Sequence, residues 1–415
     1  MTAPEGPAPW AADEPYTGPP PTGPYAAPPR VPGLLGADAP HWAGAPAGPV
    51  PWPLGPVPLP PGPHGPAGPG PLPVPVPVPH GAYPPGASGP GPLPPGLRLA
   101  PPPGTPPHDE PVPFLRAMRS RDWAWWRPLL GLLLFVVAYS VAAFVVVLLV
   151  LLTGIEPDLA LLDLVDPGVL LVTNLSLIVA IPIVWLLWAV AHGMRPGWSS
   201  SVLARLRWRL FAPYTLRALA TLGVGIALSV VLGFAFGDAE ATGPVDDLLW
   251  LLLVVVLTTP LQSAAEEYVF RGYLSQAVAG WVRDPRAGAL TAAVLTAALF
   301  SLAHAPGDVA TFLDRFAFGL AASAVVWLTG GLEAAIVLHA VNNVLVFLLA
   351  GSLGDGVATQ ELPAGIGLLS LAVSLVAMGA YVALVATSRR RLRPEVLTPA
   401  LDLRVPSGDP RAGGW

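Results

Sequence analysis

Eight long apolar stretches dominate the chain from Trp125 onward, and their length decides what they are. A hydrocarbon core about 30 Å thick takes about 20 apolar residues of helix. Leu129–Leu152, Val169–Ala191 and Ala218–Phe236 meet that length without a single charged residue. A fourth stretch starts at Leu248 and runs into charged residues near Glu266. Ala287–His304, Thr311–Leu328, Leu332–Ala350 and Ile366–Thr387 complete the set, the sixth being the weakest because it carries Asp314 and Arg315. The pattern predicts an all-α polytopic membrane protein with about eight transmembrane helices.

Charge then orients the bundle. Arg116, Arg119, Arg121 and Arg127 precede the first span, and Arg195, Arg205, Arg207, Arg209 and Arg217 fill the second loop. Arg283 and Arg286 lie in the fourth loop, and Arg389, Arg390, Arg391 and Arg393 follow the last span. The alternate loops are acidic: Glu156, Asp158, Asp163 and Asp166, then Asp238, Glu240, Asp246 and Asp247, then Asp355 and Glu361. Basic loops stay on the cytoplasmic side. An even number of spans with both termini cytoplasmic is therefore expected, and Arg315 alone breaks the alternation.

The first 113 residues follow another rule. They hold 41 of the 56 prolines, with runs such as Pro71-Leu72-Pro73-Val74-Pro75, which leave neither helix nor sheet a full set of donors. A disordered, polyproline-II-biased tail is expected, with no identifiable partner. Charged residues make up 11% of the chain, against roughly 25% in soluble proteins, and mean hydropathy is +0.59. Those values exclude an ordinary soluble protein. There is no cysteine, so disulfides, thiolate metal sites and cysteine nucleophiles are excluded too. All 21 basic residues are arginine. The start lacks the basic and apolar regions of a cleavable signal peptide, so targeting is expected from an internal span. The organisation read from these shifts is a tail over 1–113, a juxtamembrane segment and three spans over 114–247, and a core over 248–350. A last span over 351–387 and a basic tail over 388–415 follow.

Candidate chemistry lies where polar residues interrupt the apolar helices. The fourth span carries Glu266-Glu267-Tyr268-Val269-Phe270-Arg271, the fifth ends Phe300-Ser301-Leu302-Ala303-His304, and the seventh contains His339-Ala340-Val341-Asn342-Asn343. A charge at mid-helix costs about 2.5–3.5 kcal/mol on insertion scales, so these residues need partners, water or a function. Glu267 and Arg271 are one turn apart and are expected to pair. Glu266 lies about 100° round the helix with no local counter-charge, which makes it the better candidate for chemistry. His339 and Asn343 project together, and His304 comes from a third helix. A carboxylate, two imidazoles and an amide are the groups needed to activate a water and stabilise an oxyanion.

At these residues the chain resembles the CPBP family of membrane proteins (CAAX protease and bacteriocin-processing, or Abi-like). The family pattern is E-E-x-x-x-R, F-x-x-x-H and H-x-x-x-N/D on successive helices, met here by Glu266-Glu267-x-x-x-Arg271, Phe300-x-x-x-His304 and His339-x-x-x-Asn343. The resemblance covers about residues 248–350. It implies an intramembrane endopeptidase without a covalent intermediate, in a family that includes enzymes trimming prenylated CaaX proteins and others tied to bacteriocin maturation or immunity. It makes Glu266 with His304 the groups that polarise water, His339 and Asn343 the oxyanion donors, and Glu267 with Arg271 their structural support. Phe300 is read as core packing. Glu266, His304 and His339 could instead hold a divalent metal such as zinc, and the residues leave that choice open. The partners expected are membrane lipid and a peptide or membrane-protein substrate, with no nucleic acid, in what reads as a bacterial plasma membrane. Two alternatives compete: a non-catalytic scaffold or immunity-type protein that keeps the polar cluster for folding or partner binding, and an ion-coupled transporter.

One count resists this picture. At 1.5 Å per residue, Glu266 lies about 27 Å from the outer end of its span and His339 about 12 Å from the cytoplasmic end of its own. His304 then falls too far toward the outside. The gap closes if residues 286–291 extend the fifth helix, if the bilayer thins beside the sixth span, or if Pro260 kinks the fourth.

Overall fold

A computed structural model describes residues 105–152, 165–236, 241–354 and 364–400. Of the tail over 1–113 expected to be disordered, residues 1–104 lie outside the described residues, as do the end of the basic tail beyond residue 400 and most of the acidic loop residues; residues 105–113 are described and make contacts such as Arg121 N–H to Pro107 O. Within them the chain is helical, with two isolated β-bridges. The helices are α1 (Arg127–Leu152), α2 (Pro167–Ile178), α3 (Ala180–Val190), α4 (Phe211–Ala218) and α5 (Val224–Phe236). They continue with α6 (Leu248–Val269), α7 (Ser275–Trp281), α8 (Pro285–Ala303), α9 (Val309–Thr329), α10 (Glu333–Leu353) and α11 (Ala364–Leu392).

Several ends are set by local chemistry. Asp166, Asp284 and Asp308 each accept a hydrogen bond from the backbone N–H three residues on, capping α2, α8 and α9. Proline occupies the first turn of α2 and α8, where its missing N–H costs nothing. Gly330 ends α9 in the left-handed region, at φ 69°.

Joined in pairs, these helices give eight segments long and apolar enough to cross a membrane. α2 runs into α3, α4 into α5 through a π-turn, and α6 into α7 through a π-turn over Phe270–Leu274. Large apolar side chains such as Leu133, Val137 and Phe144 of α1, and Leu249, Val256 and Leu257 of α6, stand exposed on the outer surface. So wide an apolar exterior is stable only against lipid, and the chain is a polytopic membrane protein.

The loops sort onto two faces. Thr398, after the last span, donates its backbone N–H to Val112 O, before the first, at 2.9 Å, and Pro113 bridges Leu397, so both flanks of the bundle meet on one side. That requires an even number of spans whatever the rule for charge. On the same face Arg116 donates to Ala279 O at 2.8 Å and to Arg283 O at 3.0 Å, tying the first flank to the fourth loop. Arg207, from the second loop, grips Glu333 at the start of α10 with two donors (2.9 and 2.6 Å) and reaches Glu395 O at 2.7 Å. The other face is joined by Val245 N–H to Gly351 O at 3.0 Å. The arginine-bearing loops are thus the ones that interlock.

Candidate active site

Glu266, His304 and His339 meet. The Oε2 atom of Glu266 lies 3.8 Å from Nε2 of His304 and 3.8 Å from Nε2 of His339. The depth conflict dissolves for two reasons. The fourth span is 34 residues long, because the π-turn carries it on to Trp281, so Glu266 sits about 22 Å from the basic-face end. The fifth helix begins at Pro285, as the extension required, and reaches His304 after about 28 Å. α8 packs on α7 and the π-turn at the basic face and along α9, and His304 closes its last turn.

Both imidazoles are fixed from behind. His304 donates Nδ1–H to Phe300 O at 2.7 Å, since a carbonyl can only accept. His339 donates Nδ1–H to Glu267 Oε1 at 3.0 Å. In the neutral tautomers, both Nε2 lone pairs therefore aim at Glu266. Its Oε2 has no hydrogen-bond partner, while Oε1 accepts from the Gln262 amide one turn earlier on α6. Three acceptors converge with no donor between them. A distance of 3.8 Å is too long for a hydrogen bond. A water about 2.8 Å from Glu266 and one imidazole would sit off the line between them, with an angle of about 85° at its oxygen. Such a water would supply the donors that this arrangement lacks.

Glu267 and Arg271 form the expected pair, at 3.0 Å and with both side chains 0% exposed. Arg271 also donates to Gly319 O at 3.0 Å, and its guanidinium lies 4.9 Å over the Phe300 ring. Phe300 is more than generic packing. Its ring stands 4.5 Å from that of His304 and 5.6 Å from that of His339, and its carbonyl orients His304. The spacing F-x-x-x-H is the i to i+4 reach of that hydrogen bond.

Asn343 is placed differently from an oxyanion donor beside the imidazoles. Its amide lies 3.4 Å from Gln262 Oε1, and its own Oδ1 accepts from Asn342 at 3.2 Å. The carboxylate of Glu266 sets the direction of this chain, because Gln262 must donate to it and therefore accepts from Asn343. Gln262 and Gly319 were not singled out in the sequence. A Cβ on Gly319 would stand 2.8 Å from both Cα and Cβ of Ala297, so glycine lets α9 close on α8 and offer its carbonyl to Arg271. The signal for Gln262 was its place one turn before Glu266.

Two imidazole nitrogens and a carboxylate are a chemically apt zinc donor set. Among the described residues, however, no group of three His, Cys, Asp or Glu is spaced to hold a metal ion.

Comparison with known proteins finds similarity over the segment that carries this centre. A stretch of 101 residues is 30% identical to the uncharacterized protein YyaK of Bacillus subtilis (strain 168). It makes up 23% of this chain and 32% of that protein, so the match spans about a third of the relative. No solved structure matches. Residues 246–345 match the family described as type II CAAX prenyl endopeptidase Rce1-like. All seven motif residues from Glu266 to Asn343 fall inside that match, which is to the same CAAX-protease (CPBP) family that the three motifs resemble.

Proposed function

We propose that the protein is an intramembrane endopeptidase that hydrolyses a peptide bond of a membrane-associated peptide or membrane-protein substrate through a water activated by Glu266. The carrying observation is the unpartnered Oε2 of Glu266, facing two imidazole nitrogens whose rings are locked by Phe300 and Glu267. In this reading Glu266, with His304 as second acceptor, takes a proton from the water as its oxygen attacks the scissile carbonyl. The oxyanion receives a hydrogen bond from His339 once its Nε2 takes up a proton from solvent, while Nδ1–H stays on Glu267 Oε1. Collapse of the tetrahedral intermediate breaks the C–N bond, and the proton held by Glu266 passes to the leaving amine. Asn343 holds Gln262, and Gln262 holds the other oxygen of Glu266. This is general acid–base catalysis aided by a directed charge, with no bond to the protein.

Zinc would be held by Glu266, His304 and His339 only if they moved from where they stand, and it would then polarise the carbonyl or the water. Dialysis against a chelator followed by zinc addition reads that directly. We read the arginine-rich face as cytoplasmic on the charge rule, with both flanks of the bundle on that side, and propose a bacterial plasma membrane as its location.

The test is cleavage of a quenched apolar peptide library by the full chain in proteoliposomes. Glu266→Gln and His339→Ala are expected to lose at least about 100-fold in rate. Parental rates in both variants would end the proposal.

A further inference from the structure

Arg315 is a cation without a partner beside the site. Among the described residues it makes no hydrogen bond or ion pair, and its Nε is buried with no acceptor. Helical spacing fixes where it stands. Phe318 and Gly319, three and four residues later on α9, touch the site: the Phe318 ring lies 5.2 Å from that of His339, and Gly319 O accepts from Arg271. Phe312, three residues earlier, takes a hydrogen bond on its carbonyl from Ser301 at 2.8 Å, in the last turn of α8 before His304. Arg315 lies between these contacts on the same helix face, one turn outward from His339. It is also within electrostatic reach of His304.

Neighbouring acids do not satisfy it. Both oxygens of Asp308 are taken by Thr311, whose hydroxyl and N–H hold that carboxyl below its usual range, with Arg315 adding a smaller pull. Asp314 forms no ion pair with it, and its Oδ1 has no hydrogen-bond partner. Every other arginine of the described spans and loops lies on the basic face or, like Arg271, is bound inside the core. An anionic group approaching Glu266 from the outer side would meet carboxylates there, with Arg315 as its one positive counterpart among the described residues. An unpaired guanidinium in an apolar span is costly, and an arriving anion relieves that cost.

We infer that Arg315 binds a carboxylate of the substrate, from an acidic side chain or from the chain's C-terminus, and so sets which peptides reach Glu266. The inference rests on the proposed peptidase reading for the identity of the ligand, but binding can be measured without turnover.

Three fluorescein-labelled peptides of the same apolar sequence are compared by anisotropy on the detergent-solubilised full chain. One has a free C-terminus, one a C-terminal amide, and one an amide with a single internal aspartate. Either carboxylate peptide is expected to bind about tenfold more tightly than the plain amide, since a charged hydrogen bond is at stake. The peptide that gains identifies the source. Arg315→Gln should erase the difference and Arg315→Lys restore part of it, with thermal unfolding confirming that both variants fold. Equal binding of all three peptides to the parent overturns the inference, as does a preference that survives in Arg315→Gln. It is equally overturned if only the anionic phospholipid content of added micelles responds to Arg315, which would make the ligand a lipid phosphate. Carboxylate-selective binding without Glu266-dependent cleavage would retain the inference and end the peptidase proposal; the opposite pair of results would do the reverse.

Discussion

Removing the carboxylate of Glu267 separates its two duties. Its Oε1 accepts from Arg271 at 3.0 Å and from His339 at 3.0 Å, and none of the three side chains is more than 2% exposed. Glu267→Leu leaves the Arg271 guanidinium buried and uncompensated, with Gly319 O as its remaining acceptor. Breaking a buried pair from one side costs about 3–5 kcal/mol, whereas replacing both partners by apolar groups of similar volume is often near neutral. The double variant Glu267→Leu/Arg271→Met should therefore recover at least about 2 kcal/mol of what the single variant loses. Activity should not return with it, because His339 Nδ1–H has no acceptor in either variant and its ring is free to turn; a loss of about 100-fold is expected. Thermal unfolding in detergent, followed by tryptophan fluorescence, reads the first quantity, and cleavage in proteoliposomes reads the second. A double variant as unstable as the single one would refute the pairing energetics. One that cleaves at the parental rate would refute the role given to Glu267 in holding His339.

Gly319→Ala should cost about 1–3 kcal/mol by forcing α9 off Ala297, with a matching fall in activity, and unchanged stability would contradict the close approach. Acid should loosen the basic-face end of the bundle through His192, where burial first and the Arg127 charge second hold the imidazole down at about 4. The unfolded chain binds this proton below about pH 6.5 and the folded chain only below about 4. Stability is therefore full above 6.5 and falls by as much as about 3 kcal/mol as pH drops toward 4. His192→Asn should flatten this part of the melting-temperature profile, and an identical slope would count against it. Gln262→Ala should slow cleavage about tenfold with little change in stability, by freeing Glu266 to turn.

Much of this was legible in the amino acids. The eight spans show in hydropathy alone because lipid selects for length and apolarity, and the pairing of Glu267 with Arg271 follows from one helical turn. The three motifs named Glu266, His304 and His339. What stayed hidden depends on tertiary contact. Nothing in the spacing tells that a π-turn lengthens the fourth span and brings Glu266 level with His304. Arg207, Glu333 and Glu395 lie in three distant segments, so their clasp has no local pattern. The buried Asn174 of α2, which donates to Thr258 and Thr259, shows that polar contacts reach the second span too, where the sequence showed no cluster. Asn343 was read from its motif as an oxyanion donor beside His339, whereas the fold turns its amide toward Gln262.

If a water held by Glu266 does the cutting, a single turnover in ¹⁸O-labelled water should leave one ¹⁸O in the new C-terminal carboxylate of the product. None should enter the side chain of Glu266, and hydroxylamine should trap no adduct. Product free of the label after one turnover, or label found on Glu266, would mean that the carboxylate itself attacks and that no water is activated by it.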